Sequence, residues 1–510
     1  MPHRTCRKLS GVTVGRLSAL ACLGLGLVPA VASAAAGAAI PVVAQIHDVA
    51  GVSPYVGRHC NIAPPEWRAA GGKEGEPLIA VNPKSPDNQI AVWMDRTRAS
   101  MDTAYTMNGG RTWTKVQPAG LDGCGGNHTQ PWEASGDPWV SFGPDGVAYF
   151  TSLVWAHFNT PPFTKYVSIL QETTSFNGGK TWTKPVLLSA PNAVSDKDAN
   201  FADPNHPGTD YAAWRNQGFG LVSTPRAKTA LLFAKTTDWG ATWTRPIVVD
   251  TGTLKQFFGT PQVVALANGT IVVTSSLANT AGVTQELAFR STDGGTTWSQ
   301  PIVIQTPAAS AKPAVVCGTG YAAADTTSSS GQDAVVGHNS IVLVTQDGAA
   351  ASAGRGGIIL SRSNDGGRTW SNKLVIKSRY PVTFASVAGN TAGRLALVWD
   401  ENNIAGANCA RNTIPARTLF ATSSDSGMTW QTAIIGAPWW NLATTKVHSS
   451  GYYPGDYQAI AAIPQGFTTV AASGKPLVTS ASTPHITGDT GVVVTKVKLF
   501  PGQTRQHGLP

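Results

Sequence analysis

Six copies of one eight-residue pattern run through the chain and constrain its fold more than any other feature. The pattern is [Ser/Thr]-x-[Asp/Asn]-x-Gly-x-Thr-Trp, and its copies end at Trp113, Trp182, Trp243, Trp298, Trp370 and Trp430. The steps between successive tryptophans are 69, 61, 55, 72 and 60 residues. Self-similarity at such intervals is the mark of a repeat architecture. The pattern itself reads as a tight turn. Its hydroxyl and its carboxylate or amide can accept nearby backbone N–H groups, its glycine permits positive φ, and its tryptophan can pack over the turn.

Strand-like runs flank each turn, such as 228–235 before the third copy and 246–249 after it. A second hairpin-like pair lies upstream, for example 77–81 with 89–93, or 261–265 with 270–274. Each repeat therefore reads as a four-stranded antiparallel sheet of propeller-blade size, which cannot bury both faces alone and must stack on its neighbours. The expected fold is all-β, a single β-propeller. Six turns suggest six blades as the alternative. Seven are favoured, because residues 456–462, 467–471 and 491–498 form three further strands without a fourth. The apolar stretch 40–46 could supply that strand and close the ring, covering an open sheet edge.

The first 34 residues read as an export signal. A basic stretch ending at Arg16 precedes an apolar run and an Ala32-Ser33-Ala34 cleavage pattern. The expected organisation is signal 1–34, extension 35–74, propeller 75–500 and tail 501–510, with the mature protein secreted or periplasmic. Four bases and no acid lie in the signal, so the formal charge of +9 falls to 34 bases against 29 acids. The remaining bases are scattered, which argues against nucleic acid. No membrane span is expected in the mature protein, nor an oligomer. Cys60, Cys124, Cys317 and Cys409 remain after cleavage, an even number suited to disulfides with three connectivities. The propeller reading favours Cys60–Cys124 and Cys317–Cys409, each between neighbouring loops. Zinc spacing and a calcium loop are both missing, so neither metal nor cofactor is expected.

The repeated turns read as packing devices. Chemistry is expected where first strands open near the axis. Acids stand there at Glu76, Asp137, Asp203 and Asp456, the first three before proline. Second strands end in Trp93, Asp95 and Arg96, in Trp155 and His157, in Trp214 and Arg215, and in Trp399, Asp400 and Glu401. Carboxylates, arginines and aromatic rings around one mouth suit a glycan or glycoconjugate. The alternative for the acids is turn capping.

Signal, repeated S-x-D-x-G-x-T-W turns and blades together resemble the bacterial sialidase-like proteins with Asp-box (BNR) repeats over nearly all of residues 75–500. That resemblance implies three arginines on the substrate carboxylate, a tyrosine nucleophile activated by a glutamate, and an aspartate acid/base. By position it points to Arg96, to Asp102 as acid/base, and to Tyr457, with Tyr452 and Tyr453 beside it. Two departures stand out: no arginine lies at 75–77, and Thr260-Pro261 stands where Glu-Pro is expected. The loss of an arginine removes a charge-assisted carboxylate partner, and the loss of the glutamate removes the base. The candidate catalytic residues are thus Asp102, Glu76, Asp203, Asp456 and Tyr457. The candidate substrate-binding residues are Arg96, Arg215, Trp93, Trp214 and Asp137. The readings carried forward are a sialidase, another glycosidase using two mouth carboxylates, and a carbohydrate- or protein-binding propeller in which Trp93, Trp155 and Trp214 stack on sugars.

Overall fold

A computed structural model describes residues 39–500 apart from 55–73, 96–99, 122–131, 133, 161–162, 191–192, 217–228, 254–255, 280–281, 307–314, 318, 321–333, 337–338, 348–354, 391–392, 448–450, 453 and 481–482. Within it the chain forms a β-propeller of seven four-stranded antiparallel blades. Blade 1 runs Glu74–Val81, Gln89–Asp95, Ser100–Thr106, Thr114–Val116, and blade 2 runs Ala134–Phe142, Ala148–Thr160, Phe163–Ser175, Val186–Leu187. Blade 3 is Ser195–Ala202, Asp210–Asn216, Ala230–Thr236, Ile247–Thr251; blade 4 is Gln262–Ala265, Ile271–Asn279, Gly282–Ser291, Ile302–Gln305. Blade 5 is Ala334–Val336, Ser340–Gln346, Gly356–Ser363, Ser371–Ser378, and blade 6 is Val382–Gly389, Leu395–Asn402, Pro415–Ser423, Gln431–Asn441. Pro476–Val478 adds a fifth strand to blade 6.

Blade 7 takes three strands from one end of the chain, Ala459–Ile463, Gly466–Gly474 and Thr490–Phe500, and its fourth from the other, Ile40–Asp48. The closing pair runs antiparallel from Ile40 opposite Phe500 to Asp48 opposite Val493. Asp48 locks its end: its Oδ1 accepts from the backbone N–H groups of Val492 (3.1 Å) and Ala50 (3.2 Å).

Burial follows from the ring. The second strand of blade 1, Gln89–Asp95, is buried at every position, because a blade covers each face. This is why such strands read as continuous apolar runs rather than alternating ones. One core cluster joins blades 1, 2 and 7 through Ile90, Val92, Phe150, Val470 and Val494. Others bridge blades 3 and 4, and blades 5 and 6.

The six repeated turns link third to fourth strands, on the face opposite the openings of the first strands. In the fourth copy, Asp293 Oδ1 accepts the Thr297 N–H (2.9 Å), while Ser291 Oγ accepts the Gly295 N–H (2.8 Å). Hydrogen bonds led by that from the Thr297 hydroxyl hold the Asp293 carboxyl well below its ordinary range. All six pattern glycines have φ between +80° and +92°. They also touch the preceding blade: a Cβ on Gly295 would overlap the Phe233 ring of blade 3, and one on Gly179 would crowd Ile90 of blade 1. The pattern therefore fastens blade to blade as well as turning the chain.

Two expectations follow. Deleting residues 36–50 leaves the Thr490–Phe500 edge open and should sharply lower the melting temperature; unchanged melting contradicts closure by this strand. Gly295→Ala combines a left-handed backbone with overlap on Phe233 and should cost about 2–4 kcal/mol in denaturant titration. A loss under about 0.5 kcal/mol contradicts that packing role.

Candidate functional site at the axial mouth

The first strands of blades 1, 2, 3 and 6 each break register at the same place, where they open towards the axis. The shifts fall between Gly75 and Leu78, Gly136 and Trp139, Asp196 and Asp198, and Thr383 and Ser386. In each bulge one residue other than glycine takes positive φ: Glu76 (55°), Asp137 (51°), Lys197 (53°) and Phe384 (56°). A left-handed non-glycine residue costs roughly 1–3 kcal/mol, and bulges re-aim side chains. Here three of the four strained positions carry charged groups.

Those three meet a fourth from blade 7. Glu76, Asp137 and Asp456 bring one carboxylate oxygen each to within 4.8 Å of one another. Lys197 Nζ pairs with Asp456 and lies 3.8 Å from Asp137 Oδ2, and the Lys197 N–H donates to the same oxygen (3.3 Å). Three carboxylates so close could hold a cation, and Lys197 supplies one from the chain itself. Gly455 permits the approach, since a Cβ there would overlap the Glu76 backbone. Burial pushes the Asp137 carboxyl up to about 7, with Lys197 opposing and Glu76 reinforcing. Asp198, beside them, is also raised well above the carboxylate range by burial, and it accepts a hydrogen bond from Thr151 (2.8 Å).

Below the acids the axis is plugged. Tyr457 donates its hydroxyl to the Pro138 carbonyl (3.0 Å) and meets Trp139 edge-on at 5.4 Å. A cavity of about 10 Å³, room for one water, lies among Leu78, Trp139, Thr260, Gln262 and Tyr457. At the other end of the axis a hollow of about 820 Å³ opens among Ala80, Phe142, Phe201, Ala265, Ala388 and Ile460.

The structure thus gathers Glu76, Asp137 and Asp456, with Tyr457 beneath them. Other candidates fall elsewhere. Asp203 does not open a first strand; it follows one, on the opposite face, and its carboxylate accepts from Asn205 N–H (2.8 Å) and Tyr211 O–H (2.7 Å). Turn capping, the alternative reading for the acids, describes it. Asp102 lies on the third strand of blade 1, 1% exposed, opposite Trp93 and 3.4 Å from Lys115. Burial raises it to about 7, and Asp95 and Glu74 are its acidic neighbours there. It does not join the axial trio. Trp93 and Trp214 are fully buried between blades, so neither offers a face to a sugar. Trp155 packs against Gly136, where a Cβ would overlap its ring.

Arg215 reaches the mouth side of blade 3 but is engaged, pairing with Asp196 and donating to the Phe258 carbonyl (2.7 Å). Cys317 is bonded to Cys409, their Cα atoms 5.1 Å apart, fastening the approach to blade 5 to the 2–3 loop of blade 6. Arg96, Cys60, Cys124 and Tyr453 lie outside the described residues, as does the side chain of His157.

Sequence reasoning missed Asp196, Lys197 and Asp198. A signal was present: Ser195-Asp-Lys-Asp fills the place that Ser135-Gly-Asp-Pro fills in blade 2. An acid before proline occurs in this stretch only at Asp203-Pro204, seven residues past the bulge start at Asp196 and on the opposite face.

Further buried acids stand outside the mouth. Glu172 and Asp210 are 1% and 0% exposed; burial drives Glu172 well above its ordinary range and Asp210 to about 8, and Asp400 rises to about 7 for the same reason. Between about pH 4 and 7 the folded state then holds more protons than the unfolded state, so stability falls as pH rises through that window. The turn aspartates act oppositely: Asp238 and Asp293 are lowered, and their contribution is lost in acid below about pH 4. The melting temperature should therefore be higher at pH 5.5 than at pH 8, and Glu172→Gln should shrink the difference. A higher value at pH 8 contradicts this assignment.

Residues 218–435 match the family model of a BNR repeat-like domain. That stretch holds the repeated turns of blades 3 to 6. No curated protein matches the chain in sequence. Among solved structures, Hadza microbial sialidase Hz136 is 15% identical, with a TM-score of 0.45 over 82% of this chain and 74% of its own. The α-L-arabinofuranosidase Arb93A from Fusarium graminearum is 14% identical, with a TM-score of 0.42 over 71% and 92%. A PL25 ulvan lyase is 12% identical, with a TM-score of 0.44 over 85% and 94%. At this level none of the three carries an argument about this chain's chemistry.

Proposed function

We propose that this BNR-repeat propeller is an exported glycan-acting protein of the glycoside-hydrolase type, with its acid/base chemistry at the axial mouth. One observation carries the reading: Glu76, Asp137 and Asp456 converge there around Lys197, and Glu76, Asp137 and Lys197 each sit at positive φ on a first-strand bulge. Export rests on the signal-like first 34 residues.

Asp137 is the general acid. A carboxyl raised to about 7 is still largely protonated in mild acid and can give its proton to a glycosidic oxygen as the C–O bond breaks. Asp456, oriented by Lys197, attacks the anomeric carbon, and water then releases the sugar. Carboxylate oxygens within 4.8 Å of one another leave less room than the roughly 6.5–9.5 Å an inverting pair needs for its water, which favours the retaining route.

Exo-sialidase chemistry is the less supported version. Tyr457 gives its hydroxyl to a backbone carbonyl, Asp102 is enclosed, and Arg215 is committed to Asp196.

The test is turnover on sialosides and on neutral and uronic glycosides. Activity should fall as pH rises through about 7, and Asp137→Asn should lower kcat by about 10²-fold or more. An unchanged rate and pH profile in that variant removes Asp137 from its role. Absence of turnover with retained glycan binding favours a binding propeller.

A further inference from the structure

Blade 6 carries, on the same face as the axial mouth, a cluster that none of the chemistry above uses. Tyr380 lies two residues before its first strand, Glu401 is next to last in its second, Arg417 is the third residue of its third and Trp439 lies late in its fourth. The Arg417 guanidinium stacks on Trp439 at 4.8 Å and on Tyr380 at 5.5 Å, and the two rings meet edge-on at 5.7 Å. Glu401 Oε2 accepts from Arg417 Nε (3.0 Å) and Nη2 (2.7 Å), fixing that guanidinium. A second guanidinium, Arg379, lies over Tyr380 at 4.8 Å. Arg379 is exposed and has no carboxylate partner among the described residues.

The balance of this cluster is two guanidinium charges against one carboxylate, on a rigid aromatic base. Stacking on a ring restrains a guanidinium while leaving its in-plane N–H donors free for an anion. Planar donors of that kind match a carboxylate or sulfate. An uncharged sugar would leave the Arg379 charge unanswered.

We propose that Arg379, Tyr380, Arg417 and Trp439 form an off-axis subsite for an anionic sugar unit of an acidic polysaccharide. The substrate is then a polyanionic chain lying across the face, gripped at blade 6 and cut at the axis. This deepens the glycan-acting reading, and its binding half stands even if the axial chemistry does not. The net formal charge of the chain without its first 34 residues, 34 bases against 29 acids, is of the complementary sign.

The test is direct binding of the full mature protein to polygalacturonate and to dextran sulfate, with unmodified dextran as the neutral control. The measurements are made in the Asp137→Asn background, so that loss of catalysis cannot be mistaken for loss of binding. Binding to at least one anionic chain should weaken with added salt, and the two arms report whether carboxylate or sulfate is preferred. Arg379→Ala should weaken that binding about tenfold while leaving the melting temperature unchanged, since the side chain is exposed. Arg379→Lys, which keeps charge but not the planar fork, should fall between. Equal affinity of the Arg379→Ala variant and its parent, or dextran bound as tightly as both anionic chains, overturns the proposal.

Discussion

The antiparallel pairing of Ile40–Asp48 with Thr490–Phe500 is the constraint on which the molecule depends. It joins residues near the two ends of the described chain and turns six complete blades and one incomplete blade into a ring. Because blade 7 is held against blade 1, Gly455 and Asp456 reach Glu76, and Asp456 meets Lys197 from blade 3. The acid cluster is thus a consequence of closure. Residues hundreds of positions apart share one mouth only when the sheets encircle an axis.

Within that ring, the repeated packing turns and the charged cluster lie on opposite faces. The repeated turns spend their polar groups on themselves: hydroxyl, carboxylate and glycine N–H satisfy one another, and the glycine lets each turn lean on its neighbour. At the other face, bulges turn Glu76, Asp137 and Lys197 away from the regular pleat. Left-handed backbone at three charged residues costs stability that the surrounding sheets supply, a common arrangement where side chains must be aimed. The Tyr457–Trp139 plug then divides the charged end of the axis from the apolar hollow beyond it.

The fold was legible because each of its devices repeats. Six turn patterns, the paired runs around them and an apolar segment without a local partner were enough to reach seven blades. The site was legible only in part. Glu76, Asp137 and Asp456 could be found because each stands just where its first strand opens. Lys197 could not be found by looking for acids before proline, since the position is defined by a backbone bulge and not by a residue type. The tryptophans misled for a related reason: a tryptophan at a strand end looks exposed in one blade, yet Trp93 and Trp214 are covered once the next blade is stacked. Burial between repeats is a property of the ring, invisible in a single copy.

If acid/base chemistry belongs to the charged mouth of the axis, a saccharide must bind there. A crystal structure of the Asp137→Asn protein with a bound oligosaccharide tests this most directly. The expected result is a sugar ring against Lys197 and Asp456, with a glycosidic oxygen near position 137. A saccharide bound instead in the apolar hollow, or along the repeated turns of the opposite face, would contradict it.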